Sequence, residues 1–403
     1  MTTRRLPRWD ELRPLLRFQH VPLDPTERRL AGVNTIADLR RIAYRRTPRA
    51  VFDYTDGAAE QEVSLRRMRD AFRRVEFRPG VLRDVSAADP GTTVLGQRWR
   101  LPFALAPTGF TRMMHHEGER AVVRAAQTAD VTYALSTMGT TSIEDVAAEG
   151  PHARKWFQLY VWRDRDAGKE LIQRALEADY EALVLTVDTP IAGARMRDVR
   201  NGLTIPPSLT PTTVLDAALH PAWWFNLLTT EPLTFASMTH WGGTVADLVN
   251  RMFDPSVTFA DVDWIRDAWP RSLVVKGIQN VADARAAVEH GADAVVVSNH
   301  GGRQLDRTPV PLTLLPEISD AVGDRADVLL DGGITSGADV VAGLALGAKA
   351  CLVGRAYLYG LMAGGERGVD RAIEILAEEV TRTLRLLGVR SVDELDRWHV
   401  SLG

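Results

Sequence analysis

Largely apolar runs of five to seven residues recur along the chain after Leu101, each followed by a polar or glycine-rich loop and an amphipathic stretch. Because these runs do not alternate apolar with polar positions, they are typical of parallel strands buried on both faces. Several of the amphipathic stretches end at glycine, as helices commonly do. The eight runs are 103–107, 132–136, 155–160, 182–188, 273–277, 294–299, 328–333 and 350–354.

Eight strand–helix units predict the α/β class, and within it a closed (β/α)8 TIM barrel rather than an open doubly wound sheet. The spacing is interrupted once, where about eighty residues separate the fourth and fifth runs, so a long insert is expected at about 196–260. Residues 1–100 precede the first run and are predicted to form a mainly helical extension packed on the barrel, which then spans 101–403.

Composition and charge narrow the class of protein. The chain has 403 residues, 45% of them hydrophobic, and a net charge of −3, so nucleic acid is not an expected partner. The single cysteine, Cys351, excludes an internal disulfide, and no metal site is expected. The N-terminus lacks a signal-peptide core, and no apolar run reaches the roughly 18 residues of a membrane span. A cytoplasmic location is expected, with peripheral attachment to the inner face of the cell membrane left open.

Polar side chains or glycines follow every predicted strand at its carboxyl end. These ends meet at one face of a barrel, where enzymes of this architecture place their active sites. A scaffold or a non-enzymatic binding module would need few such groups, so the pattern favours an enzyme. The strand-end residues are Pro107, Thr108, Ser136, Gln158, Tyr160, Thr186, Asp188, Lys276, Ser298, His300, Asp331, Gly332, Gly333, Gly354 and Arg355.

The last two strand ends, in "DGGITSGAD" and "VGRAYLYG", form a glycine-rich pair. Backbone N–H groups in such loops suit a phosphate, and Arg355 would add a forked cation. Simple turn chemistry would also explain the glycines. When Lys276 and Gln158 are considered as well, a phosphate-bearing cofactor is the better interpretation of these loops.

The stretch "VVVSNHGGRQLD" places a histidine and an arginine three residues apart on a flexible backbone. His300 could be a core histidine, but the glycines and Arg303 favour a base that acts on an anion. Asp188, from another strand end, could orient the imidazole. Arg195 could join Arg303 on a carboxylate, or could be a solvated surface charge.

These motifs resemble the FMN-dependent L-2-hydroxy acid oxidases and dehydrogenases, a family that includes glycolate oxidase, lactate oxidase and mandelate dehydrogenase. The resemblance runs from about Thr35 to His399 and includes, in order, "FDYTDGAAE", "APTGF", "FQLYVWRDR", "LTVDTP", "VVKGI", "SNHGGRQLD", "LDGGI" and "GRAYLYG". Within the family, the chain is most similar to bacterial L-lactate dehydrogenases that pass electrons to quinone. The resemblance implies FMN as cofactor and a homotetramer.

The resemblance also implies roles for particular residues. His300 would be the base, with Asp188 behind it, and Arg195 and Arg303 would hold the substrate carboxylate with the hydroxyls of Tyr54 and Tyr160. Lys276 would lie at the pyrimidine edge of the flavin. The ring contacts would be Pro107, Thr108, Gly109, Ser136, Gln158 and Thr186, and the ribityl and phosphate contacts would be Ser298, Asp331, Gly332, Gly333, Gly354 and Arg355.

The sequence departs from the family pattern at three positions. Thr335 stands where the family usually has an arginine near the phosphate, and Met138 stands where glycolate oxidase has a tryptophan. Gly109 stands where many oxidases have alanine, which is similar to the dehydrogenases.

The expected activity is therefore FMN-dependent oxidation of an L-2-hydroxy acid, with L-lactate the expected substrate and a quinone the expected acceptor. One alternative is an oxidase that uses oxygen and releases hydrogen peroxide from lactate, glycolate or mandelate. A flavin-free barrel isomerase or lyase acting on a sugar phosphate is another. An apolar cluster in the insert could touch a membrane or pack over the barrel or between subunits; it consists of Trp223, Trp224, Phe225, Leu227 and Leu228.

Overall fold

Eight parallel strands close into a barrel in the computed structural model, which describes residues 5–16, 22–203, 210–241 and 252–403. In chain order the strands are β1 (Val75–Phe77), β2 (Thr92–Val94), β3 (Gln97–Trp99), β4 (Phe103–Leu105), β5 (Tyr133–Ser136), β6 (Lys155–Tyr160), β7 (Ala182–Thr186), β8 (Ser272–Ile278), β9 (Ala294–Val297), β10 (Asp327–Asp331), β11 (Ala350–Val353) and β12 (Val400–Leu402). The barrel runs from β4 to β11 in sequence order and closes where β11 pairs with β4. The predicted (β/α)8 barrel is confirmed.

Alternate residues of the barrel strands lie in two separate apolar clusters, as the two-residue period of a strand requires. The smaller cluster is built mainly from alanine and valine, including Ala104, Ala134 and Val274. Trp156 belongs to the same cluster and packs on Trp99 of β3 with ring centroids 5.4 Å apart. The larger cluster joins the other face of the strands to the surrounding helices.

A helix follows each barrel strand among the described residues. Several helices begin at a side-chain cap, such as Ser142, Asp164, Asn280 or Ser336, whose oxygen accepts a backbone N–H of the first turn. The helices that cover the barrel are Gly118–Ala129, Ile143–Glu149, Arg165–Glu177, Ala260–Ala268, Val281–Glu289, Pro311–Val322, Gly337–Ala345, Arg355–Gly364 and Glu366–Leu387, and the short helix Thr111–Met114 precedes the first of them.

The first hundred residues contain helices and three short strands, so the expectation of a mainly helical segment missed the strands. The hairpin of β2 and β3 turns at Leu95 and Gly96, which both have positive φ, as a tight two-residue hairpin requires. β1 pairs with β12 at the other end of the chain. The helices are Trp9–Leu12, Pro25–Leu30, Ile36–Arg46, Arg49–Asp56 and Val63–Arg73, with a 3-10 turn at Arg13–Leu15.

A long segment separates β7 from β8, as predicted from the spacing. Its described part contains the helices Met196–Arg200, Pro211–Ala218, Pro221–Leu228 and Ala260–Ala268 and the 3-10 turn Ala236–Trp241. Residues 204–209 and 242–251 of this insert lie outside the described part of the chain. Across the described residues, no helix combines the length and the apolar character needed to cross a membrane.

Candidate active site

A cavity of about 910 Å³ opens at the carboxyl ends of the barrel strands. The sequence-predicted residues that line it are Tyr54, Pro107, Thr108, Gly109, Ser136, Tyr160, Arg195, Lys276, His300, Arg303, Asp331, Gly332, Gly333, Gly354 and Arg355. Three further predicted residues hydrogen-bond to lining residues: Gln158 to Ser136, Ser298 to Asp331 and Asp188 to His300. Thr186 is paired in register with the lining residue Lys276 on the next strand. One cavity therefore collects predicted residues from both ends of the chain, from Tyr54 to Arg355.

His300 and Asp188 form a hydrogen-bonded pair at the wall of this cavity. The distance from His300 Nδ1 to Asp188 Oδ1 is 2.9 Å, and the Asp188 side chain is only 4% exposed. Because Nδ1 is engaged, Nε2 is the ring nitrogen left for a ligand in the cavity. Gly277 makes room for the pair, since a Cβ there would lie 2.8 Å from Asp188 Cβ. Gly277 was not singled out from the sequence, and its position on β8 coincides with a break in strand register.

Two guanidinium groups lie against the Tyr54 ring. The Cζ atoms of Arg195 and Arg303 lie 5.3 Å and 4.9 Å from the ring centroid. Arg195 pairs with Asp198 at 3.0 Å, whereas Arg303 donates from Nη1 to the backbone carbonyls of Tyr54 and Gly57. Desolvation, and then repulsion from Arg195, lower the pKa of Arg303 to about 10. A bound carboxylate would relieve this excess of positive charge.

Lys276, Asp331 and Ser298 form a buried polar network, and Ser298 Oγ also accepts a hydrogen bond from His300 N at 3.0 Å. Lys276 Nζ lies 2.8 Å from Asp331 Oδ2 and donates to Ser298 Oγ at 3.2 Å. Burial alone would lower the pKa of Lys276, but the charges of Asp331 and Asp188 raise it on balance. Burial likewise opposes ionisation of Asp331, and Lys276 overcomes it, so the pKa of Asp331 is lowered. The lysine therefore stays cationic at the base of the cavity.

Several buried polar atoms near the strand ends have no partner among the described residues, and they offer a test for a flavin. Gln158 Nε2 and Thr186 Oγ1 are unpaired, although Gln158 Oε1 accepts a hydrogen bond from Ser136 Oγ at 3.0 Å. Buried polar groups are rarely left unpaired, so a polar ring system is expected to meet them. The carbonyls and N–H groups at the edge of an isoalloxazine fit this donor and acceptor set.

The two glycine-rich loops offer different helix starts to a phosphate. At Gly337–Ala345 the first amides are already used, because Ser336 Oγ accepts from Asp339 N and Glu379 accepts from Gly337 N at 2.7 Å. The helix Arg355–Gly364 has no side-chain cap and starts at Gly354, on the cavity wall. Its amides are therefore the better phosphate donors.

Arg355 itself is largely committed to holding backbone. Its Nε donates to the carbonyl of Thr55 at 3.0 Å, and its Nη2 donates to the carbonyls of Gly57 and Gly301 at 2.8 Å and 2.9 Å. The side chain thus ties the helix that carries Tyr54 to the turn that carries His300. Fewer of its N–H groups remain for a phosphate than the sequence suggested.

Two arginines at the site were not selected from the sequence: Arg69, on an N-terminal helix, and Arg197, on the insert helix Met196–Arg200. Arg69 lines the cavity beside the loop after β10, and its Nη1 donates to Gly333 O at 2.7 Å and to Thr335 Oγ1. Arg197 joins Asp56 and Glu62 at 3.0 Å and 2.6 Å. A signal for Arg69 was available, since arginines at 66, 69 and 73 lie on one helix face. Nothing local indicated the partners of Arg197, which lie over a hundred positions away.

Comparison with known proteins identifies the class that this fold and site define. The sequence pattern described as FMN-dependent dehydrogenase matches residues 43–402, and the chain belongs to that family. FMN is the cofactor of this protein, which is an FMN-dependent L-2-hydroxy acid oxidoreductase.

Similar proteins with known names fall on both sides of the dehydrogenase–oxidase division. The chain is 58% identical, over 99% of its length and 96% of the relative, to a Mycobacterium tuberculosis protein with a provisional L-lactate dehydrogenase name. An L-lactate dehydrogenase of Caulobacter vibrioides is 44% identical over 90% of this chain and 96% of that protein. Human 2-hydroxyacid oxidase 1 is 39% identical over 90% and 95%.

A solved structure with a similar fold is a monotopic membrane protein, (S)-mandelate dehydrogenase. Its TM-score is 0.89 at 37% identity, and the match covers 92% of this chain and all of that one, 100%. The barrel therefore has a counterpart of known three-dimensional structure.

Proposed function

We propose that this protein is an L-lactate dehydrogenase that oxidises L-lactate to pyruvate and passes the electrons from FMN to a quinone. The observation that carries the proposal is a histidine–aspartate pair that shares one cavity with two arginines, together with unpaired buried polar atoms on the barrel strands. His300, Arg195 and Arg303 line one cavity, and Gln158 Nε2 and Thr186 Oγ1 are unpaired beside it.

The carboxylate of the substrate would be held by Arg195 and Arg303. Both guanidinium groups lie on the Tyr54 ring, and only Asp198 pairs with either of them among the described residues. Tyr160, on the same wall, has its pKa raised by burial and then by Asp188, so its hydroxyl stays protonated and can donate to the carboxylate. These three contacts would hold the carboxylate in one orientation.

His300 would act as the base. Its Nε2 would accept a proton of the substrate, from the hydroxyl if the α-hydrogen leaves as hydride or from the α-carbon if a carbanion forms, and Asp188, at 2.9 Å from Nδ1, would stabilise the imidazolium that results. FMN, when bound, supplies the two-electron acceptor for the substrate. Lys276 would lie at the pyrimidine edge of the ring, where a fixed cation favours the reduced form.

The residues proposed to hold FMN divide by the part of the cofactor that they contact. Pro107, Thr108, Gly109, Ser136, Gln158 and Thr186 would meet the ring, and Ser298, Asp331, Gly332, Gly333, Gly354 and Arg355 would meet the ribityl chain and phosphate. The uncapped start of the helix Arg355–Gly364 supports this order.

Met138 supports a small substrate side chain. It lines the cavity, where glycolate oxidase has a tryptophan, and its backbone is held by hydrogen bonds from Met138 N to Ser136 Oγ at 3.1 Å and from Phe110 N to Met138 O at 3.1 Å. The relatives named L-lactate dehydrogenase point the same way, whereas the similar solved structure is named a mandelate dehydrogenase.

Steady-state rates with L-lactate, glycolate and L-mandelate test the substrate. The proposal predicts the highest kcat/KM for L-lactate. A clear preference for either of the other two acids overturns the choice of lactate and leaves the family unaffected.

A quinone acceptor is supported by Gly109, which resembles the dehydrogenases, and by an exposed apolar surface on the insert. Trp224, Phe225 and Leu228 are 38%, 59% and 74% exposed. Trp223 and Leu227, from the same predicted cluster, instead pack inward, and Trp223 Nε1 donates to Met113 O at 2.7 Å. The outward residues suit a membrane surface, where quinone is dissolved.

Mixing the reduced enzyme with oxygen and, separately, with a soluble quinone analogue tests the acceptor. The proposal predicts rapid reoxidation by the quinone analogue and slow formation of hydrogen peroxide. Fast formation of hydrogen peroxide would identify the protein as an oxidase, which is the activity that the name of the human relative describes.

A further inference from the structure

The phosphate end of the cavity contains an arginine from outside the barrel. Arg69 lies on the N-terminal helix Val63–Arg73, and its Nη1 donates to Gly333 O at 2.7 Å and to Thr335 Oγ1. Both acceptors belong to the glycine-rich loop after β10. Arg69 also lines the cavity together with Gly354 and Arg355, whose helix start is the proposed phosphate site.

The helix that carries Arg69 is held against this loop by close packing. A Cβ on Gly332 would lie 3.0 Å from Met68 Sδ, and a Cβ on Gly333 would lie 3.0 Å from the Phe72 ring. Both glycines have positive φ, of 106° and 85°. The loop and the helix therefore approach so closely that side chains at positions 332 and 333 would not fit. The contacts at Met68 and Phe72, which precede and follow Arg69 on the helix, fix its position.

The charge of Arg69 is only weakly balanced by the protein. Asp339 is 3.9 Å from Nη1, and its Oδ2 already accepts the amides of Thr335 and Ser336 at 2.8 Å and 3.0 Å. Burial lowers the pKa of Arg69, Asp339 opposes that effect, and Arg73 and Arg355 add to it. Nε and Nη2 make no hydrogen bond to any residue in the described part of the chain. The unused side of the guanidinium can therefore serve a buried anion.

The residue at 335 explains why the arginine comes from elsewhere. Thr335 stands where the family usually has an arginine, and its hydroxyl accepts a hydrogen bond from Arg69. An arginine at position 335 would compete with the Arg69 side chain for the same space, and the two positive charges would repel each other. Arg355 cannot fully replace it, because Nε and Nη2 of Arg355 bind backbone carbonyls.

We propose that Arg69 is the cation that binds the phosphate of FMN in this protein, taking the place of the arginine usually found at position 335. The guanidinium offers a planar pair of N–H donors to two phosphate oxygens, while Nη1 keeps its contact with the loop. This inference rests on the phosphate position given under the proposed function and adds a residue from the N-terminal segment to it.

The test compares FMN with riboflavin, which has the same ring and ribityl chain but no phosphate. The deflavinated full-length protein is titrated with each flavin, and bound flavin is followed by quenching of its fluorescence. Arg69→Gln should weaken FMN binding on the order of 10- to 100-fold, because a hydrogen bond to a charged group is lost. The same variant should bind riboflavin as the wild type does.

Two further variants control for folding and for position. Arg67→Gln changes an exposed arginine of the same helix that does not line the cavity, and it should leave both affinities unchanged. Adding Thr335→Arg to Arg69→Gln should restore most of the FMN affinity, because it returns the cation to the usual position. The rate of FMN release from the holoenzyme should follow the same order, which gives a second readout if a deflavinated variant is unstable.

The outcomes separate the inference from the proposed function. Equal loss of FMN and riboflavin affinity in Arg69→Gln would assign the arginine to helix packing and overturn the inference. Unchanged FMN binding in that variant would also overturn it. A wild-type protein that binds riboflavin as tightly as FMN would show that the proposed phosphate site itself is wrong.

Discussion

A comparison of two histidine–aspartate pairs shows what distinguishes the proposed base, His300. His290 and Asp263 lie 2.6 Å apart on the surface, with side chains 33% and 57% exposed. His300 and Asp188 have a similar distance, 2.9 Å, but the aspartate is buried and the histidine lines the cavity. His300 also has a φ of 58°, a conformation that costs energy in a residue other than glycine. The buried pair is therefore the one built for a ligand.

Arg303 gives the substrate complex a defined pH dependence. Desolvation, and then Arg195, lower its pKa to about 10 in the free enzyme, and a bound carboxylate would raise it again. Substrate binding is therefore at full strength below pH 10 and weakens as the pH rises through that value. The KM for L-lactate, measured across this range, should rise on the alkaline side while bound FMN is retained. A KM that stays flat through the same range would contradict the role of Arg303.

At the scale of elements, the loops after β4 and β5 are in contact beside the proposed flavin site. A Cβ on Gly109 would lie 2.6 Å from Met138 Cβ and 3.1 Å from Met138 O. The contact gives a steric reason for glycine at 109, in addition to the resemblance to the dehydrogenases. The shape of the substrate pocket at Met138 therefore depends on the residue at 109.

Gly109→Ala should displace Met138 and its loop. Overpacking of this kind typically costs about 1–3 kcal/mol of unfolding free energy. Gly32→Ala is the matched control, because a Cβ on Gly32 has no atom within 4 Å. Thermal unfolding of both holoenzymes checks the prediction. Equal melting temperatures for the two variants would mean that the Met138 loop moves aside without a loss of stability.

The elements most accessible to prediction were the barrel strands. The run predicted at 273–277 is β8, Ser272–Ile278, and the run at 155–160 is β6, because buried parallel strands are apolar along their whole length. The pairing of β1 with β12 was not predicted, since three-residue strands carry too little pattern and their partner lies at the far end of the chain. The carbonyl partners of Arg355 escaped prediction for the same reason: they are set by tertiary approach and not by local sequence.

A charged cluster joins the start of the insert to the N-terminal helix that carries Tyr54. Arg197 is paired with Asp53 and Asp56, whose side chains are each 7% exposed, and with Glu62. Arg195 is two positions before Arg197, so the cluster holds one half of the carboxylate clamp against Tyr54. The insert therefore contributes to the site through its ion pairs as well as through Arg195.

Arg197→Gln should loosen that clamp without removing a group that touches the substrate. A hydrogen bond to a charged group contributes about 1.5–3 kcal/mol, so the KM for L-lactate should rise about tenfold or more. Arg200→Gln, on the exposed side of the same short helix, should leave KM unchanged. The KM values of the two variants are compared, with FMN saturation confirmed by absorbance. Equal values would show that Arg197 does not position the carboxylate clamp.

At the scale of the whole molecule, the insert exposes apolar side chains on two neighbouring helices. Leu215 and Leu219 are 64% and 72% exposed, close in sequence to Phe225 and Leu228 on the next helix. An exposed apolar patch of this kind marks an interaction surface. A membrane surface is the proposed partner.

Co-sedimentation with liposomes tests this surface. The wild-type holoenzyme should sediment with the vesicles, and a variant with Trp224→Ser, Phe225→Ser and Leu228→Ser should stay in the supernatant with unchanged turnover of a soluble acceptor. Light scattering of both proteins checks the expected homotetramer. If the substitutions change the oligomeric state and leave vesicle binding unaltered, the patch is an interface between subunits.

His300 is proposed to take a proton from an L-2-hydroxy acid while FMN is reduced. Mixing the anaerobic yellow holoenzyme with L-lactate and following the visible flavin absorbance measures this step alone. The wild type should bleach rapidly, and so should His290→Ala, which removes the surface pair. His300→Ala should keep its FMN and bleach on the order of 10²- to 10⁴-fold more slowly, as loss of a positioned base predicts. Bleaching of yellow His300→Ala at the wild-type rate would contradict the account.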